Sequence, residues 1–406
     1  MKYLQISFLM FFVLISFSLI HYVDGKKNIP KAEEDDLEIE RQLRVLNKKP
    51  VKTIITEAGD IIDCIDIYKQ PALDNPLLKD HKIRMNPSSI PGDKKSKNVS
   101  TSSIFGGLQR ARCPSGTVPI RRTTREDLIN AKYLAKKSEP IDANGYPNIG
   151  NNFVSVVEDI RGKKYFGAAA SMSIHNLTVR PDQYSTSQIW IVNATQPEIN
   201  SIQFGIMKCP SVFAAGDSRT RLFGYWGVKV GQQTTGCYNM LCEGFVQVSE
   251  DIHLEHSFTQ SSIYGQRIYD VYLKVYQVQE VGDWWLSVGP NAENTEDVGY
   301  WPAEIFTHLR NSASAVRFGG NAGSLSQASS PPMGNGYLPQ LLDYKKTAFM
   351  RQMKYINEMG NPANLDPRTV RTINGAPPQC YDIKFAGQLA GSGNTMAYGG
   401  PGGICN

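Results

Sequence analysis

With 406 residues, 41% hydrophobic and 20% charged, the chain has the composition of a globular protein with room for about two or three domains. Its formal charge of +5 is small for that length, and the basic residues form no single run, which argues against an electrostatic nucleic-acid binder. The 35 glycines and 19 tyrosines favour strands and tight turns over helices.

In chain order, Lys2 precedes the apolar run Phe8 to Ile15, and Val23 and Gly25 follow as small residues. These are the three parts of a secretory signal, assigned to residues 1–25. The apolar core falls short of the ~20 residues a membrane span needs, so a secreted chain is expected, with no membrane attachment after signal cleavage. Seven cysteines (Cys64, Cys113, Cys209, Cys237, Cys242, Cys380 and Cys405) then read as disulfides with one left over. None has the paired CxxC spacing of a zinc site, and no metal or cofactor is expected. Asn98, Asn176 and Asn193 head N-x-[ST] sequons and are candidate glycan acceptors.

Residues 26 to about 145 differ from the rest. The spacing of Ile39, Leu43 and Leu46 predicts a helix over 32–49, acidic at its start and basic at its end, as the helix dipole favours. Residues 86–103, rich in Pro, Ser, Lys and Asn, read as a linker. A second helix is predicted over 124–137, capped by Thr123 or Thr124 and ending at the dibasic pair Lys136-Lys137. From Asn152 onward, runs such as Ser187-Gln-Ile-Trp-Ile-Val and Tyr269-Asp-Val-Tyr-Leu-Lys-Val-Tyr alternate with period two between Gly, Pro and Asn. Seven or more such runs predict an all-β fold, an antiparallel β-sandwich over 150–406 behind a mixed α/β region. Only 301–309 looks like a helical turn there, with Pro302 at its start.

No phosphate loop, dinucleotide fingerprint, HExxH or GxSxG occurs. His253-x-x-His256 is the nearest metal-like spacing, but on a strand the two side chains would face opposite sides, so joint ligation is not expected.

The stretch Thr235-Gly-Cys-Tyr-Asn-Met-Leu-Cys-Glu-Gly-Phe-Val-Gln strongly resembles the neprosin family of plant secreted proteins, whose founding member is a prolyl endopeptidase of the glutamic class. Further matches are Asp63-Cys-Ile-Asp-Ile-Tyr-Lys-Gln-Pro-Ala and Cys113-Pro-Ser-Gly-Thr-Val-Pro in the front part, and Thr220-Arg-Leu-Phe-Gly-Tyr-Trp, Gly299-Tyr-Trp-Pro, Pro332-Met-Gly-Asn-Gly and Tyr398-Gly-Gly-Pro-Gly in the body. The resemblance implies an activation-peptide-like region over 26–145 and a neprosin-type sandwich over 150–406. It also implies the pairs Cys237–Cys242 and Cys380–Cys405, extended here to Cys64–Cys113.

The resemblance further implies two catalytic glutamates, one removing a proton from water and one assisting at the carbonyl oxygen. The first belongs where this chain reads Asn200-Ser-Ile-Gln203-Phe-Gly. The second closes a Trp-Gly-Gly-Glu motif that here reads Phe318-Gly-Gly-Asn321. Both positions, Gln203 and Asn321, are amides, so no catalytic residue of the family pattern is intact. Glu198 and Asp217 are the nearby carboxylates that would have to substitute. Trp226, Trp285, Trp301 and Phe318 are candidates to line a residual groove and to stack on proline rings or sugars. The leading expectation is a non-catalytic binder of proline-containing peptides or cell-wall polymers. An active post-proline endopeptidase with substitute residues and a structural or carbohydrate-binding sandwich remain the alternatives.

Overall fold

The computed structural model describes residues 31–57, 59–87, 111–137, 152–211, 213, 219–231, 233–324, 329–341 and 343–405. The signal segment, Asn98, most of the expected linker and Asp217 lie outside them. No helix among the described residues is long and apolar enough to cross a membrane. The described residues up to 42 and those from 43 onward fall into two units, and the second holds every described strand.

Helix α1 (Lys31–Leu46) stops three residues before the expected end at 49. Asn47 leaves the helix and exchanges hydrogen bonds with Thr123, its Nδ2 donating to the Thr123 carbonyl at 2.8 Å and its Oδ1 accepting from the Thr123 N–H at 2.9 Å. Helix α2 (Arg125–Lys137) is capped as expected: Thr124 Oγ1 accepts from the Asp127 N–H, and Asp127 accepts from the Thr124 N–H. Between the helices, β1 (Lys52–Ile55), β2 (Ile61–Asp66) and β3 (Thr117–Arg121) make a three-stranded antiparallel sheet.

The body is an antiparallel sandwich. One sheet has seven described strands in the order β17 (Arg371–Asn374), β4 (Asn152–Glu158), β14 (Ala315–Ser324), β6 (Gln183–Asn193), β7 (Glu198–Lys208), β8 (Arg221–Val230) and β9 (Gln233–Tyr238). The other has nine: β10 (Val246–Gln247), β13 (Glu296–Trp301), β12 (Asp283–Gly289), β11 (Asp270–Val278), β5 (Gly167–Ser173), β15 (Ala348–Ile356), β19 (Gly393–Gly399) and β18 (Asp382–Leu389), with β16 (Pro362–Asn364) pairing β15. Their inner faces share one core, in which Ile189, Ile202, Phe204 and Phe318 of the first sheet meet Leu273, Trp284, Met350 and Tyr398 of the second.

The helical turn expected within 301–309 is present as a single 3-10 turn, Ala303–Ile305, that follows Pro302 and goes no further. Beyond it, the N–H groups of Thr307, His308 and Leu309 donate to the buried Asn200 side-chain oxygen at 2.8–3.1 Å. A side chain from β7 has taken the donors that a continuing helix would use.

The structure forms three disulfides, Cys64–Cys113, Cys237–Cys242 and Cys380–Cys405, and leaves Cys209 as a buried thiol. Asn176 is exposed, with its Oδ1 accepting from Lys208 at 2.6 Å; Asn193 is half-buried, with its Nδ2 donating to the Ser312 carbonyl at 2.8 Å.

The Gly319-Gly320 pair has a packing reason. A Cβ on Gly320 would sit 2.7 Å from Met333 Sδ and 2.9 Å from the Tyr398 ring, whose hydroxyl donates to Ser187 Oγ. The Gly320→Ala variant is expected to lose about 1–3 kcal/mol through overpacking, with a melting temperature several degrees lower by calorimetry. An unchanged melting temperature would show that the ring has room to move.

Candidate functional site

Alternation along a strand sends residues i and i+2 to one face. On β7, Ile202, Phe204 and Ile206 fill the core, so Ser201, Gln203, Gly205 and Met207 point to the outer side of the seven-stranded sheet. On β6 the same parity turns Tyr184, Thr186, Gln188 and Trp190 outward, and on β14 it turns Arg317, Gly319, Asn321 and Gly323 outward. Gln203 and Asn321 therefore share a face.

They are not neighbours on it. Asn321 is in register with Thr186, which is in register with Met207, four residues beyond Gln203. One strand, β6, lies between them. Gln188 occupies the middle of the diagonal: it is in register with Gly205 on one side and Gly319 on the other, so no side chain flanks it along that row. Each diagonal step spans roughly 7–8 Å.

The three amides divide their hydrogen bonds unevenly. Gln188 Nε2 donates to Gln203 Oε1 at 2.8 Å. Gln203 Nε2 and Asn321 Oδ1 are buried and have no hydrogen-bond partner, and the same holds for Trp190 Nε1 on this face. Burial drives the Tyr184 hydroxyl well above the ordinary tyrosine range, with the Asn321 amide pulling weakly the other way. Gln203 is 2% exposed and Asn321 8%, so the face is shut from bulk water. Chemically the row offers an N–H donor and a carbonyl acceptor at separate points. Amides of this kind bind and orient; they do not take up or release protons near neutral or mildly acid pH.

The nearby carboxylate expectation resolves for one residue. Glu198 lies five positions before Gln203, which puts it on the opposite side of β7, where it meets His308 Nε2 at 3.3 Å. Among the described residues, no hydrogen bond joins the Gln203 or Asn321 side chain to a carboxylate.

The four aromatic groove candidates do not line this face. Trp226 is in register with Ile202 rather than Gln203, and Trp226, Trp301 and Phe318 are buried in the core between the sheets. Trp285 lies in a separate cluster, stacked on Tyr300 at 4.6 Å with Ala72 among its neighbours. The residues in register with Gln203 are Trp190 on β6 and Tyr225 on β8, the latter with its ring 4.8 Å from that of Tyr238. Sequence reasoning also missed Gln188 and Tyr184. Their signal was polar residues at a fixed parity inside a strand that is buried along nearly its whole length.

His253 and His256 depart from expectation as well. They lie in a turn rather than a strand, with Glu255 at φ +73°, and their rings stack at 4.8 Å and 26°. No group of three or more metal-binding side chains occurs among the described residues.

The profile described as Neprosin matches residues 181–401, and the one described as Neprosin activation peptide matches 53–152. The chain belongs to the neprosin family. Its neprosin domain therefore contains Gln188, Gln203 and Asn321, while the activation-peptide match covers β2, β3 and all of β1 but Lys52. Among solved structures, the chain is similar to scytalido-glutamic peptidase with a transition-state analogue inhibitor, at 8% identity and a TM-score of 0.33 over 62% of this chain and 98% of that one. It is also similar to SCP-B, a member of the Eqolisin family of peptidases in a complex with the tripeptide Ala-Ile-His, at 10% identity and a TM-score of 0.32 over the same shares. A mixed-linkage-glucan GH16 protein of Bacteroides ovatus matches at 11% identity and a TM-score of 0.27, over 44% of this chain and 71% of that one.

Burial lowers the His253 imidazole to a pKa of about 4. Because the folded value lies below the unfolded one, its neutral form stabilises the fold above about pH 6.5, and that contribution is lost as pH falls towards 4. The expected loss is on the order of 3 kcal/mol. Urea titrations between pH 7 and pH 4 should show it, and the His253→Gln variant should have a flatter pH slope; equal slopes would place the proton uptake elsewhere.

Proposed function

We propose that the protein is a secreted, non-catalytic member of the neprosin family that binds extended, proline-containing peptides on the Gln188–Gln203–Asn321 face. The reading rests on one observation: at the two positions where the family resemblance places glutamates, this chain carries amides on a common face, one with an unpaired donor and one with an unpaired acceptor. An extended peptide presents alternating carbonyl and N–H groups, the complement of Gln203 Nε2 and Asn321 Oδ1. Each buried group left unpaired costs about 1–3 kcal/mol, which a bound backbone would recover. General acid–base hydrolysis needs a group that exchanges a proton at working pH, and neither amide does so.

Secretion is supported by the leader over residues 1–25 and by three disulfides, which persist in oxidising compartments. Because the face is shut from water, association requires it to open, so the on-rate should fall below the usual ~10⁵ M⁻¹s⁻¹ for preformed sites.

The purified protein is expected to leave a proline-containing peptide intact at acid pH while binding it in calorimetry. Gln203→Leu should weaken that binding by about fivefold to tenfold, the value of one hydrogen bond. Gln203→Glu with Asn321→Glu tests whether the face still supports chemistry once carboxylates are restored. Turnover by the unmodified protein that survives inhibitors of serine, cysteine and metallopeptidases would overturn the proposal in favour of an active endopeptidase.

A further inference from the structure

The activation-peptide region is built into the body rather than laid on it. Ile65, Ile67, Leu78, Val118 and Ile120, from β2, β3 and the 3-10 turns after β2, belong to the same buried core as the inner faces of the sandwich. Main-chain groups cross the seam as well: the N–H groups of Ala111 and Cys113 donate to the carbonyls of Asp251 and Glu250 at 2.9 and 3.1 Å. Gln70 and Gln247 exchange two hydrogen bonds, through Gln70 Nε2 and Oε1, at 3.1 and 2.8 Å. The Cys64–Cys113 bridge lies wholly on the front side, so no covalent bond except the chain itself joins the two parts.

Charges are sealed within this seam. Arg221 of β8, 1% exposed, holds both oxygens of Asp60 through Nη2 at 2.7 and 2.9 Å, and its Nη1 donates to the Glu255 carbonyl. Arg121 of β3 sits 3.1 Å from both Asp127 and Glu255, whose side chains are almost fully buried. Each pair that crosses the seam puts one charge on the front segment and its counter-charge on the body.

We propose that residues 47–137 are a permanent lobe of the protein at neutral pH, and that a cut between this segment and β4 yields a two-chain protein instead of a released propeptide. Parting the two would expose a core of the kind found in obligate interfaces, which resemble a domain core cut in half. The ion pairs add less to affinity than to selectivity: a charge opposite a neutral side chain would be trapped unpaired in the docked state, so only this segment in this register fits.

The test places a site for a specific protease within residues 140–146 of the full chain, cuts the folded protein at pH 7.4 and applies it to gel filtration. One peak holding both pieces is expected, and an added labelled copy of the front piece should not exchange in over many hours. Two separate peaks, or free exchange, would overturn the proposal. Asp60→Asn and Glu255→Gln, introduced singly and then cut, should release the front piece at least about a hundredfold faster, the effect of breaking one buried pair. Arg41→Ala, at an exposed position of α1, should leave release unchanged. Release rates equal to the unmodified protein's in both seam variants would remove the ion pairs from the argument. If either variant fails to fold, exchange in the unmodified cut protein still decides whether the lobe is permanent.

Discussion

Alternation of side chains across the seven-stranded sheet is the constraint on which the rest of this protein depends. The core demands Ile189 and Ile191 on β6, Ile202, Phe204 and Ile206 on β7, and Val316, Phe318 and Ala322 on β14. Once those residues face the other sheet, Gln188, Gln203 and Asn321 must face away from it. A slip of one residue in any of these strands would bury the amides among the isoleucines and expose the apolar set. Packing of the sandwich and placement of the polar face are one decision made by one set of registers.

The same constraint accounts for the glycines around the site. Gly205 and Gly319 flank Gln188 in register, and the adjacent Gly320 yields to Tyr398 and Met333 on the inner side. Two sheets of bulky side chains leave room for a row of amides only where some positions carry no side chain. The outcome is a polar strip in a nearly dry setting, with partnerless amide atoms of opposite hydrogen-bonding sense. In such surroundings an unpaired polar group is costly.

The front segment is a second layer of the same logic. Its apolar residues complete the sandwich core, while its charges meet Arg221 and Glu255 in a seam that excludes water. Apolar area supplies the hold, and paired charges fix the register. His253, buried close to these charges, is held in its neutral form, so this end of the fold contributes to the chain's sensitivity to acid, as does the buried His175 beyond β5.

Much of this was legible in the residues themselves. Period-two runs and the family motifs determined an antiparallel sandwich, the Thr124 cap marked α2, and the amides Gln203 and Asn321 could be read directly, at the positions where the resemblance implies glutamates. Periodicity could not say which member of an adjacent aromatic pair faces the core, and so Trp226 was favoured where Tyr225 stands beside Gln203. Nor could it foresee that Asn200 would capture the N–H groups after Ile305, or that His253 and His256 would stack in a turn. Local pattern reports what a strand repeats every second residue. Which phase of that repeat is buried, which strand lies beside which, and which charge finds its counterpart depend on contacts between residues more than a hundred positions apart, such as Asp60 with Arg221, and those exist only once the chain has folded.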